Sequence, residues 1–241
     1  MSVGGVEPVG DRFVVYGPSH VALMGLIVLG SVVLVVLGRR LRDRAGVERW
    51  CRGFALVVVG FNLPLLAYRL TPGAWDLFNS LPLHLCDLAW VVAAWALWTR
   101  ASTPHALLYF WGLTLTPQAI ITPALDAPDF PHVDFVEFWG QHLLVIWTAA
   151  FLTWGIGLRP TWRGYWVSVG VTVAWGVLML GFNAIAGTNY GFVSSKPDNP
   201  SLLDLMGGWP TYLAVELVVG MAAWALLTWP WTRRREPVTA A

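Results

Sequence analysis

SHVALMGLIVLGSVVLVVLGRRLRDR, residues 19–44, decides the class of fold. From Ser19 to Gly38 no residue carries a formal charge, and Arg39, Arg40, Arg42 and Arg44 follow at once. A helix rising 1.5 Å per residue needs roughly 20 apolar residues to cross about 30 Å of hydrocarbon, and this run supplies them. It is too long for a barrel strand, whose alternating segments run to about ten residues. Glu7 and Asp11 precede it, unlike the basic start of a cleaved signal peptide, so the run is expected to be retained.

The rest of the chain repeats the theme. Of 241 residues 56% are hydrophobic and 12% charged, about half the charge of a soluble domain, and 16 are Trp. Apolar runs recur at 19–37, 53–70, 81–98, 105–123, 135–157, 165–186 and 210–229. The expectation is an all-α, polytopic, seven-transmembrane helical bundle, because lipid leaves no partner for unpaired backbone. Twelve of the fifteen Lys and Arg fall in alternate connections, at 39–52, 100, 159–163 and 233–235. Glu7, Asp11, Asp76, Asp126, Asp129, Asp134, Asp198 and Asp204 fall on the other side. Positive loops stay in the cytoplasm, which puts the N-terminus outside and the C-terminus inside. Three segments follow: an extracytoplasmic stretch 1–18, a membrane domain 19–229 and a basic cytoplasmic tail 230–241.

A net charge of +1 and no basic patch among stacking aromatics argue against nucleic acid. Two cysteines make no metal site, no cofactor motif stands out, and oligomeric state is not legible.

Ionisable groups inside spans are costly, so each is a functional candidate. They gather at the outer ends: Tyr68 and Arg69; His84, Cys86 and Asp87; Thr114, Thr116 and Gln118; Asp134, Glu137, Gln141 and His142; Asn183, Asn189 and Tyr190; and Glu216. Ser80 reads as an N-cap, placing Cys86 roughly 9 Å along its span. Asp134 and Glu137 read as a capping box, placing His142 roughly 12 Å along its own. Thiol and imidazole are thus expected at similar depth, as nucleophile and base. Thr114, Asn183 and Asn189 are candidate oxyanion donors, and Arg69 a candidate partner for Glu216. His20, His105 and His132 read as interfacial, and the connections 124–134 and 187–209 as lids.

Five blocks then carry a resemblance: LPLHLCDLAW (81–90), FPHVDFVEFWGQHLL (130–144), LTWGIGLRPTWRG (152–164), GTNYGF (187–192) and PSLLDLMGGWP (200–210). Together they resemble the YwaF-like bacterial integral membrane proteins, which are distantly similar to the eukaryotic transmembrane protein 164 acyltransferase group. The resemblance implies a multi-pass protein of the bacterial plasma membrane that remodels phospholipid acyl chains. It implies Cys86 as acyl acceptor and His142 as its base, with membrane lipids as partners. Acyl-ester hydrolysis is the close variant. The alternatives are a small-solute transporter or receptor using the same outer polar cavity, and a non-catalytic membrane scaffold.

Overall fold

A computed structural model describes residues 12–233, and every element of regular structure in it is helical. Glu7, Asp11, Arg234 and Arg235 of the charge pattern, with most of the two terminal segments, lie outside the described residues. Arg12 forms a lone bridge with Pro128 and an ion pair with Asp126.

Helix α1 covers Pro18–Leu41, opening on a proline whose missing N–H has no intrahelical duty there. It closes with Arg39 and Arg40 against the negative end of its dipole. Gly46, at φ 92°, turns the chain into α2, Val47–Arg69, which carries Pro64 in its interior. Helix α3 is Leu85–Thr99. Helix α4, Ser102–Phe110, runs through a π-helical turn at Trp111–Leu115 directly into α5, Thr116–Ile121. Helix α6, Val133–Ala150, continues likewise through a π turn at Phe151–Ile156 and stops at Gly157, φ 94°. Helices α7, Trp162–Ala186, and α8, Thr211–Arg233, complete the set, joined by a loop containing two 3₁₀ turns.

Among the described residues five helices are long and apolar enough to cross a membrane: α1, α2, α6 with its π turn, α7 and α8. Helix α3 is apolar but shorter. Helices α6 and α4 form the hub, with Phe135, Trp139, Val145, Ala149, Leu108 and Phe110 all buried. Helices α1, α2, α3 and α5 pack around α6, and α3 and α7 flank α4. The outer helices expose apolar faces, including Val28, Val32 and Val33 on α1 and Val218 and Leu226 on α8. Faces of that kind belong against lipid, so the chain is an integral membrane protein.

Several local readings change. Helix α3 starts at Leu85 rather than 81, because the preceding residues form an extended approach whose N-cap is His84. Ser80 instead accepts from Asp76 N at 2.8 Å. Helix α6 is capped by His132, whose Nδ1 accepts from Asp134 N at 3.3 Å, so Asp134 and Glu137 form no capping box. His20 and His105 are buried rather than interfacial: their Nε2 atoms bond Ile120 O at 2.8 Å and Thr153 Oγ1 at 3.0 Å. Both cysteines are free, with Cys51 fully buried in the main core cluster.

Helix α1 meets the end of α6 backbone to backbone. A Cβ on Gly38 would lie 2.7 Å from Gly155 Cα, a distance no side chain tolerates. Gly38→Leu is therefore expected to lower stability by about 1–3 kcal/mol through overpacking. Gly25→Leu, with nothing within 4 Å of the added Cβ, should leave it within about 0.5 kcal/mol. Unfolding midpoints in detergent micelles compare the two, and equal midpoints would contradict this close approach.

Candidate functional site

The extended approach to α3 creates the site. Residues 77–84 are not helical, so their polar groups need partners from elsewhere. Tyr190 supplies two at once: its buried hydroxyl donates to Leu77 O at 2.7 Å and accepts from Leu81 N at 3.1 Å. Burial pushes this phenol above its ordinary value, so it stays a donor at neutral pH. Trp175 Nε1 donates to Leu83 O at 2.9 Å, and Gly191 N to His84 Nδ1 at 3.2 Å. Gly191 sits at φ 71°, and a Cβ there would strike the Trp175 ring at 2.1 Å. The approach is thus clamped to α7 and the 187–209 loop.

Asp87 completes the α3 cap by accepting from His84 N at 3.0 Å. Asp87 N and Leu88 N both donate to His84 O, while the N–H groups of Cys86 and Asp87 also face the Cys86 sulfur. Cys86 is the second residue of α3, half-buried, and borders a cavity of about 1000 Å³.

His142 borders the same cavity from α6 and is only 3% exposed. Its Nδ1 lies 2.6 Å from Phe138 O, and the Phe138 ring packs on the imidazole at 4.3 Å between centroids. A carbonyl only accepts, so Nδ1 carries the proton and Nε2 keeps a lone pair. Nε2 has no partner among the described residues. Cys86 and His142 share the cavity, but no hydrogen bond joins them. Cys86 lies in the first turn of α3, His142 midway along α6, and the two helices pack together.

The charged residues organise the mouth. Arg69 pairs with Glu137, and its second arm reaches Asp134 at 3.7 Å. Glu216, expected against Arg69, instead borders the cavity with no ion pair among the described residues. Gln118, Gln141, His84, Asp87 and Asn189 also border it. Three expected oxyanion donors are engaged elsewhere. Thr114 donates to Phe110 O and accepts from Trp224 Nε1. Asn183 holds Thr188, Tyr190 N and Tyr190 O. Asn189 holds Ser194 and Ser195. Tyr190, with the roles just given, acts as a brace.

Sequence reasoning missed Asn62 in α2, which is buried and borders the cavity. Its Nδ2 donates to Val58 O at 2.8 Å while Oδ1 is unsatisfied among the described residues. An uncharged polar residue inside a span was the available signal. Trp111, Trp139 and Trp224 are buried in the bundle. Both long connections border the cavity, through Leu125 and Asp126 in one and Phe192 and Leu203 in the other. Among the described residues no three His, Cys, Asp or Glu side chains converge on a metal position.

The arrangement offers a thiol in the first turn of a helix and a buried imidazole with an available lone pair, in one cavity of mixed polar and apolar lining. The model of the TMEM164 family matches residues 15–228. No curated protein and no solved structure matches the chain.

Tyr190→Phe removes both bonds of the brace and should cost about 1–3 kcal/mol. Tyr68→Phe, at an exposed side chain, should cost nothing measurable. Denaturation in micelles gives the difference, and hydrogen exchange at Leu81 N should accelerate in Tyr190→Phe alone.

Proposed function

The chain belongs to the TMEM164 family, and on that footing we propose that it modifies membrane lipids by acyl transfer, or by acyl-ester hydrolysis, through Cys86 and His142. One observation carries the reading. His142 is buried with Nδ1 fixed by Phe138 O, leaving Nε2 free to accept a proton in the cavity that Cys86 borders.

In this scheme His142 Nε2 takes the Cys86 thiol proton and the sulfur attacks the ester carbonyl carbon of a phospholipid. Contact between the pair tightens as substrate fills the cavity, as is common for sites that are loose when empty. The oxyanion forms at the positive N-terminal end of α3, beside the first-turn N–H groups that the helix itself leaves without a carbonyl. Collapse expels the lysolipid alkoxide, which takes the proton from His142 and leaves an acyl thioester on Cys86. A lysolipid hydroxyl or water then attacks that thioester, giving its proton to His142. The thiolate leaves and recovers a proton from the imidazolium. Arg69, held by Glu137 and Asp134, sits at the mouth with Asp87, Gln118, Gln141, Asn189 and Glu216 as polar wall.

The finer membrane reading belongs here too. We read α3 and the continuous α4–α5 rod as two further crossings, giving seven, with the N-terminus outside and the C-terminus cytoplasmic. The arginine asymmetry supports this orientation, and the YwaF-like resemblance supports a place in the bacterial plasma membrane. The domain is then 19–229, flanked by an outer segment 1–18 and a basic inner tail 230–241. Substrate reaches the site from the outer leaflet.

Cys86→Ala should abolish turnover of a fluorescent phospholipid by the purified protein. His142→Gln should lower it by about 10²–10⁴-fold, the usual contribution of a general base. Wild-type rates in Cys86→Ala would sink the proposal.

A further inference from the structure

Helices α7 and α8 do not close against each other as their sequences would allow. On α7 the cavity is bordered by a stripe of Val169, Thr172, Val173, Gly176, Val177 and Leu180, with Trp175 beside it. On α8 they are Leu213, Glu216, Leu217, Gly220, Met221 and Trp224. Each set follows the spacing of a single helix face, at i, i+3, i+4, i+7, i+8 and i+11. Two such faces in a bundle ordinarily interdigitate, yet these border one open space. A Cβ added at Gly176 or Gly220 would meet nothing within 4 Å. Val173, Val177 and Leu217 stay exposed along the seam, so the space opens sideways.

The seam has a floor and a mouth. At the floor Trp111 Nε1 donates to Thr172 Oγ1 at 2.9 Å, and Trp224 stacks on Phe110 with centroids 5.0 Å apart. Just beyond, Tyr165 donates to Met221 O at 3.3 Å and ties the two helices together. At the mouth stands Glu216, nearer the start of α8. From Leu213 near the mouth to Trp224 at the floor, α8 rises roughly 16 Å. That matches the depth of a single leaflet, half of the roughly 30 Å hydrocarbon core.

We infer that the α7–α8 seam is the groove for one acyl chain of a bilayer lipid, entering sideways between the two helices, with the Trp111–Trp224 floor limiting chain length. The inference rests on the lipid reading of the Cys86 cavity and adds where the chain lies and what measures it. An acyl chain fits because the walls are almost wholly apolar, the groove is continuous with the space beside Cys86, and its length suits one leaflet.

The test separates this from the chemistry. Full-length Cys86→Ala protein in micelles is photolysed with a trace of phosphatidylcholine bearing a diazirine palmitoyl chain, with and without excess unlabelled lipid. Competable label should fall on seam residues of α7 and α8 rather than on outward residues such as Leu178 and Val218. Gly176→Leu and Gly220→Leu, which the open space accommodates, should cut it about tenfold, because each methylene denied burial weakens binding. Gly181→Leu, also with nothing within 4 Å but off the seam, should leave it unchanged. In the Cys86 protein the same seam variants should lose turnover of palmitoyl esters but keep that of hexanoyl esters. Undiminished label, or label confined to other helices, overturns the groove even if Cys86→Ala is inactive. A dimer mass that Gly220→Leu abolishes would assign the seam to a second copy and also overturn it. Seam labelling together with full activity of Cys86→Ala would instead keep the groove and remove the thiol chemistry.

Discussion

Backbone that is not helical has to find hydrogen-bond partners outside its own turn, and in residues 77–84 much of that demand is met by side chains from elsewhere. Leu77 O, Leu81 N and Leu83 O reach a phenol and an indole, while the N–H of Gly191 reaches His84. Those partners come from α7 and the loop after it, which must therefore fold back across the top of α3. The first turn of α3 then carries the Cys86 thiol at the edge of the cavity. The cavity, its cover and the position of Cys86 at its edge all follow from a short stretch of chain that is not helix.

Two π-helical turns shape what lies beneath. At Trp111–Leu115 the extra residue swings Trp111 toward Thr172, and at Phe151–Ile156 it brings Gly155 against Gly38. Such turns commonly mark functional regions of helices. Here the first borders the cavity and the second seals the core against α1. The buried hub, α4 with α6, holds the rigid side of the site. Helices α7 and α8 form its looser side, touching near Tyr165 and parting above.

The long helices were legible because lipid imposes a length and an apolar composition on them; the run 165–186 shares its end with α7 and starts three residues inside it. The gathering of Cys86 and His142 was legible for a related reason, since polar residues are too costly in hydrocarbon to be scattered. Depth was less so. Ser80 and Asp134 have the chemistry of helix caps, but Ser80 is taken by the turn at Asp76, and His132 caps α6 while the Asp134 carboxylate reaches Arg69. Thr114, Asn183 and Asn189 look like free donors in a sequence because nothing in it says that Trp224, Tyr190 and Ser195 consume them. The same blindness hid Asn62 and took His20 and His105 for interface residues, since burial by neighbouring helices leaves no mark on local spacing.

The two cysteines occupy opposite circumstances. Cys51 is sealed in the core with no accessible surface, and Cys86 opens onto the cavity. The molecule thus carries a natural single-address label site: a small thiol-directed probe finds only the cavity, with no background cysteine to remove by mutation. A solvent-sensitive fluorophore or a spin label placed there would report filling and emptying of the bundle from within, in the otherwise unaltered chain.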